Sequence, residues 1–342
     1  NFDNNARMKQ VFEGDLDIER LVLAISAETG VSIEAENTLI IFDEVQEVPK
    51  ALTSLKYFHE NAPQYAIVAA GSLLGVALHQ GTSFPVGKVD FLDLYPLNFR
   101  EFLCAMGEKQ FVSMLDSCDT QMVTVFKTKY IERLREYYFV GGMPEVVKDF
   151  SEKKDYNRVR AIQKNLINYY QQDFSKHAEI KLVPRLNLVW NSIPMQLAKE
   201  NKKYIYGQVR EGSRAKDFEL AIQWLLDCGL IHKVQRIQKP DLPLKAYIDF
   251  DAFKLFLVDI GLLIAMTDLD AKVIIEGNKI FTEFKGALTE QYILQQLISD
   301  VGVIPYYYST QNSKGEIDFL VQGKTSVIPI EVKAEENLKA KS

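Results

Sequence analysis

The sequence predicts an α/β protein in several parts, opening on a parallel sheet and closing on a second, smaller α/β unit. Three observations predict it. Short, almost wholly apolar runs, LIIFD at 39–43 and YAIVAAG at 65–71, alternate with helical spacing from residue 1 to 106. Strands that apolar are expected to be buried on both faces, as in a parallel sheet covered by helices. A stretch of purely helical spacing follows, and after it helix and strand patterns return in mixed order up to VIPIEVK near the end.

Taken in order, the opening NFDNN reads as the tail of a strand running into a turn, and VDFLDLYPL at 89–97 as a further strand of the first sheet. Residues 107–180 read as a helical lid or connector, interrupted by the loop VGGMPE at 140–145. Over 181–250 two helical patterns, VWNSIPMQLAKE and AKDFELAIQWLLDCGLIHKV, precede two short strands around the turn QKPDLPLKAY. Helix, helix and β-wing in that order predict a winged-helix-like domain. Residues 251–342 carry a helical pattern at 281–299 and strands at 303–308, 316–321 and 326–333, a mixed α/β part.

A length of 342 residues exceeds what one core usually serves, in keeping with several domains. No apolar run approaches the roughly 20 residues a membrane helix needs, so the chain is expected to have no membrane partner. Cys104, Cys118 and Cys228 are odd in number and far apart, which argues against a disulfide framework and fits a reducing cytoplasm. His59, His79, His177 and His232 form no metal-binding spacing. The chain starts at Asn1 rather than Met and ends on the polar ENLKAKS just after a strong strand, so it reads as a piece of a longer protein.

The first chemistry lies at Leu39-Ile40-Ile41-Phe42-Asp43-Glu44, an apolar strand ending in two adjacent carboxylates. In a P-loop ATPase the Asp at this place orients the Mg²⁺ shell and the following Glu polarises the attacking water. An acidic helix N-cap after a buried strand would give the same letters. The next strand ends at Gly71-Ser72, where a polar side chain can sense a γ-phosphate; a serine-capped turn is the other reading. Ligands of open α/β sheets bind at the carboxyl ends of the strands, which brings Asp43, Glu44 and Ser72 to one place. No GxxxxGK[ST] loop occurs anywhere in the chain. It is expected upstream of Asn1, and the residues given should bind ATP poorly without it.

The runs LIIFDEVQEVPKALTSLKYF, AAGSLLGVAL, SFPVGKVDFLDLYPLNFREF, YYFVGGMPEVV, GALTEQYILQQL and IPIEVKA, in this order, resemble the bacterial and archaeal AAA-type ATPases that carry a C-terminal domain of unknown function. The resemblance implies a Walker A loop before the sheet, ATP and Mg²⁺ as cofactors, and a C-terminal domain similar to PD-(D/E)xK, restriction-endonuclease-like nucleases. Many relatives have Arg where this chain has Lys88 after Gly87; a lysine lacks the planar fork, and a solvated surface residue is expected there. In PD-(D/E)xK enzymes an Asp and a Glu at neighbouring strand ends bind Mg²⁺, and a Lys two residues beyond the Glu serves the attacking water or the charged phosphate. The matching residues are Asp318, Glu331 and Lys333, with Glu290 completing the acidic set from the preceding helix. Glu331 and Lys333 share one face of a strand. A turn Asp and an exposed Glu–Lys pair is the alternative.

The net charge of −6 excludes a generally basic nucleic-acid binder, yet residues 151–219 hold fourteen Lys or Arg against eight Asp or Glu, a local +6 that leaves −12 elsewhere. Lys199, Lys202, Lys203, Arg210, Arg214 and Lys216 gather on the winged-helix candidate and would suit the phosphates of duplex DNA. A solvated basic face is the plain alternative. Three readings compete: an ATPase coupled to a DNA-binding, nuclease-like module, a regulatory nucleotide switch or interaction protein whose nuclease-like part is inactive, or a half-ATPase that serves only as a scaffold. An unbroken set of Asp318, Glu331 and Lys333 favours the first.

Overall fold

The computed structural model describes residues 1–71, 87–199, 202–276, 282–310 and 315–334. The chain divides into two compact units, Asn1–Leu94 with Asp227–Gly229, and Tyr95–Leu226 with Leu230–Ser342.

In the first unit Asn5 accepts from the Met8 amide at 3.0 Å to start α1 (Ala6–Glu13), and Asp17 caps α2 (Ile18–Thr29) in the same way. Gly30 closes α2 at φ +70°, a left-handed position that glycine adopts without a Cβ clash. Strand β1 (Leu39–Phe42) leads through a short 3₁₀ turn, Val45–Glu47, into α3 (Pro49–Asn61), which opens on proline where no amide partner is needed. Strand β2 (Ala66–Ala69) then pairs with β1 in parallel, Leu39 opposite Ala66 and Phe42 opposite Ala69. Beneath them Phe2, Phe12 and Phe42 meet with ring centroids 5.3 to 5.6 Å apart. Each such burial contributes about 1.5–3 kcal/mol.

Three expectations are corrected here. Ile40 and Phe42 are buried in this aromatic core, but Leu39 and Ile41 are 54% and 58% exposed. Among the described residues α1, α2 and α3 supply their apolar side chains to the face of Ile40 and Phe42. The segment 89–97 forms no strand; its apolar residues are not set on one face by period-2 alternation, since Asp90 and Asp93 lie three apart, and Leu92 and Leu94 are 92% and 94% exposed. The opening NFD forms no strand; a single backbone bond, from the Phe2 amide to the Asp43 carbonyl at 2.9 Å, ties it to the residue that follows β1.

The second unit begins with α4 (Phe99–Ala105), started by a reciprocal cap between Asn98 and Glu101. There follow α5 (Lys109–Asp116), α6 (Thr120–Val125), α7 (Lys127–Val140), α8 (Pro144–Lys153), α9 (Tyr156–His177), α10 (Val183–Leu197), α11 (Tyr206–Val209) and α12 (Ala215–Asp227). Strands β3 (Ile231–Ile237) and β4 (Ile248–Leu257) precede α13 (Ile260–Met266), α14 (Ala271–Ile275) and α15 (Thr282–Ser299). Strands β5 (Tyr306–Ser309), β6 (Glu316–Gln322) and β7 (Val327–Ile330) complete it.

The break between α7 and α8 is a close-packed joint. Gly141 has φ +75°, and a Cβ there would lie 2.2 Å from Asp259 Oδ1; one on Gly142 would lie 2.1 Å from the Leu97 carbonyl oxygen. Only glycines let the backbone come this near. The fully buried Asp259 accepts from the Gly142 amide at 2.6 Å, from the Leu262 amide at 3.0 Å and from Gln295 at 3.2 Å.

The five described strands of this unit form one sheet in the order β4-β3-β5-β6-β7. Strands β3 and β4 are antiparallel, β3 and β5 parallel, and β5–β6 and β6–β7 antiparallel. The two strands expected as the wing of a separate winged-helix domain are therefore continuous with the C-terminal strands, and the boundary expected at 250/251 falls inside β4. The reason lies in β4, an edge strand whose residues Ala252 to Leu257 are nevertheless all buried, as in a strand covered on both faces and unlike an exposed wing. On α15, Gln291 both accepts from the Leu257 amide at 3.0 Å and donates to its carbonyl at 2.7 Å, holding helix and strand together.

Candidate functional site

At the carboxyl end of β1 the sheet hands over to a tight turn. The Ala70 amide donates to the Phe42 carbonyl at 2.8 Å and the Val45 amide to the Ala70 carbonyl at 3.0 Å, so the ends of β1 and β2 stay in register past the strands. Asp43 Oδ2 accepts from Asn1 Nδ2 at 2.8 Å and Oδ1 from the Glu44 amide at 3.1 Å. Two donors thus orient the carboxylate and leave lone pairs that can accept from the water shell of a Mg²⁺, so the residue fits that role. Glu44 sits at φ +53°, which costs a residue with a Cβ about 1–2 kcal/mol. Strained backbone of this kind gathers at functional sites.

Gln46 holds Glu44 in that conformation by donating to its carboxylate, and the other end of the Gln46 amide lies against Gly71, where a Cβ would come within 2.2 Å of Oε1. Sequence reasoning missed Gln46, and nothing but its place two residues after the acidic pair marks it. Ser72 lies outside the described residues. Lys88 pairs with Glu60 at 3.4 Å, both partly exposed, in the manner of a surface residue.

In the second unit α15 places Glu290, β6 places Glu316 and Asp318, and the chain leaving β7 carries Glu331 and Lys333. Phe319 faces Ile330 across β6 and β7, which brings Asp318 and Glu331 to adjacent strand ends, and the Val332 amide donates to Asp318 Oδ2 at 2.7 Å. Burial and the Glu290 charge push the Asp318 carboxyl up to about 7, against the pull of the Val332 amide and the Lys254 charge. Glu290, 4% exposed, goes the other way: burial pushes it up, but the ammonium groups of Lys254 and Lys202 outweigh this and hold it below the ordinary range. Each carboxyl acts on the other: the Glu290 charge raises Asp318, and Asp318 adds to the pull that lowers Glu290.

The expected metal set does not form. Glu331 turns to Lys333 at 2.5 Å, with both side chains well exposed, and this contact raises the Lys333 pKa. Glu290 is taken by two lysines that sequence reasoning did not place here. Lys202 pairs with its Oε1, and Lys254 Nζ lies 3.5 Å from its Oε2. Lys254 is 1% exposed, also pairs with Glu316, and stands 4.8 Å from the centre of the Tyr307 ring. Among the described residues no group of three or more His, Cys, Asp or Glu side chains is placed to hold a metal ion. The residues present do not fit Mg²⁺ while the lysines hold Glu290. One signal was available: Lys254 stands inside the apolar run AFKLFLV at 252–258, where a charge demands a partner.

Lys202 is thereby withdrawn from the basic face expected for DNA, its side chain only 14% exposed. Arg185 and Arg210, from α10 and the end of α11, line a cleft of about 300 Å³ beside Gly212 and Ser213, with Glu211 and Asp217 also on its wall. The three cysteines are free. No described helix is long and apolar enough to cross a membrane.

Comparison with known proteins places three families along the chain. Residues 1–103 match an AAA domain, residues 131–273 a domain of unknown function, DUF8612, and residues 285–342 another, DUF4143. No curated protein matches the chain. Among solved structures a Walker-type ATPase of Pyrococcus abyssi is similar at 14% identity and a TM-score of 0.45, over 74% of this chain and 68% of that one. The first match supports an AAA-type P-loop ATPase over the N-terminal part.

Proposed function

We propose that the chain belongs to a nucleotide-driven switch, in which an AAA-type ATPase part acts on a C-terminal α/β module that binds duplex DNA or a protein partner without cutting DNA. The ATPase reading is carried by the adjacent carboxylates Asp43 and Glu44 at the carboxyl end of a parallel strand, in the segment that matches an AAA domain. Bound Mg²⁺–ATP would supply the phosphoryl group to be transferred. Asp43 would accept hydrogen bonds from the Mg²⁺ water shell, and Glu44, held by Gln46, would polarise the attacking water. The residues that cradle the β- and γ-phosphates are not in the sequence given. The test is Glu44→Gln in a protein that carries its Walker A loop. ATP binding should survive, and turnover should fall by about 100-fold or more as the general base is lost. Turnover within a factor of two of the parent sinks the assignment.

For the module, the supporting observation is the pairing of Glu290 with Lys202 and Lys254, which leaves its carboxylate engaged. A second reading, Mg²⁺-dependent cleavage of DNA by Glu290, Asp318, Glu331 and Lys333, draws on the crowding that lifts Asp318 to about 7. Incubation with plasmid and linear duplex in Mg²⁺ or Mn²⁺, with and without ATP, separates the two. Cleavage that disappears in Lys333→Ala establishes the second and removes the first.

A further inference from the structure

The C-terminal module has the carboxylates of a metal site without the arrangement of one, and the side chain that stands among them is a lysine. Lys254 lies on β4 opposite Val234 of β3, between the buried Phe253 and Leu255, so its strand fixes where the ammonium group can go. That group meets Glu316, faces Glu290 Oε2 at 3.5 Å and lies over the ring of the buried Tyr307. From the other side Lys202 takes Glu290 Oε1. The two ammonium groups already balance the charges of Glu290 and Glu316, which leaves Asp318 as the acidic group of the cluster that neither lysine pairs with. A metal entering beside them would meet like charges at close range in a poorly screened interior.

We infer that the ammonium group of Lys254 is the resident cation of this acidic site, holding Glu290 and Glu316 where a nuclease-like module would take a divalent metal, and so closing the site to metal. The inference rests on the reading of the module as one that does not cut DNA, and it adds what replaced the metal. It also explains why the carboxylates persist: Lys254 is fully buried, and without them its own charge would be unpaired.

The experiment is a Mn²⁺ titration of the nucleotide-free full chain, in an Asp43→Asn background that silences the N-terminal part. Bound Mn²⁺ is read from the loss of its free electron paramagnetic resonance signal, and fold from thermal unfolding. With Lys254 in place, no Mn²⁺ binding should depend on Asp318, and Mn²⁺ should not raise the unfolding temperature. Lys254→Met should gain one site, binding at least about tenfold more tightly because a like charge is gone; it should be lost again when Asp318→Asn is added. Should Lys254→Met fail to fold, the charge-balanced K254M/E316Q chain takes its place. A folded Lys254 variant that gains no Asp318-dependent Mn²⁺ overturns the inference. So does such binding by the chain with Lys254 intact. If that binding comes without DNA cleavage, only this inference fails; if it comes with cleavage, the reading of the module fails too.

Discussion

Asp259→Ala removes the carboxylate on which the joint of the second unit converges, and its cost can be assembled from the contacts. Asp259 caps α13 through the Leu262 amide at 3.0 Å, and loss of such a cap costs about 1 kcal/mol. The Gly142 amide, 2.6 Å away and buried, would be left without an acceptor, which costs about 1–3 kcal/mol. Gln295 loses less, since its amide also donates to the Tyr137 hydroxyl at 3.0 Å. Against these stands the relief of burying a charge, a cost seen in the raised pKa of Asp259 despite the hydrogen bonds it accepts from Gly142, Leu262, Gln295 and Gly261. The net expectation is a destabilisation of about 2–4 kcal/mol. Asp259→Asn keeps one oxygen for a donor but turns an NH₂ toward another, so it should lie between. Urea unfolding followed by tryptophan fluorescence reads the right unit, because Trp190 and Trp224 both lie on its helices α10 and α12. An Asp259→Ala chain within about 0.5 kcal/mol of the parent, the range of a neutral surface change, would refute the reasoning.

Two further outcomes are expected. His232 on β3 is partly buried, and burial lowers its imidazole from 6.5 to about 4; a base so depressed contributes stability that is fully present above 6.5 and lost as pH falls through 4. His232→Gln should therefore flatten the fall in stability between pH 7 and pH 4 by up to about 3 kcal/mol, and a difference between the two chains that ignores pH counts against it. If duplex DNA lies along the Arg185–Arg210 cleft, log affinity should fall linearly with log salt, and the Arg185→Ala, Arg210→Ala double variant should reduce that slope by about 2. An unchanged slope places the DNA elsewhere.

Periodicity made the long elements of this chain readable and left their partners unread. The apolar run ending in Asp43-Glu44, the helix carrying Glu290 and the strands carrying Asp318 and Glu331 each show in the letters, because side-chain spacing reports local structure directly. Whether a strand is covered on one face or two depends on which layers meet it, and Leu39 and Ile41 are open where their composition implied burial. The apolar residues of VDFLDLYPL belonged to chain outside any strand. At the C-terminal site the motif residues were legible, while the apolar run around Lys254 signalled only that this charge needs a partner; that Lys202 and Lys254 meet Glu290, 88 and 36 residues later, is decided by the tertiary fold. A motif names the groups that could bind a cation; it carries no notice of a cation already supplied by another strand.

The parallel pairing of β3 with β5 has a consequence for how the protein is made. Strands β3 and β4 follow one another and can close as a hairpin while the chain is still growing, but Arg236 must wait for Tyr307 to emerge before its other edge is satisfied. Until then the nascent hairpin presents an open edge, and Lys254, already synthesised, has none of Glu290, Glu316 or Tyr307 to receive it. The elements made after β4, from the helix of Glu290 to β6, both complete the sheet beside β3 and neutralise the charge of Lys254, so a chain terminated before them would be left with the edge and the buried lysine unmet.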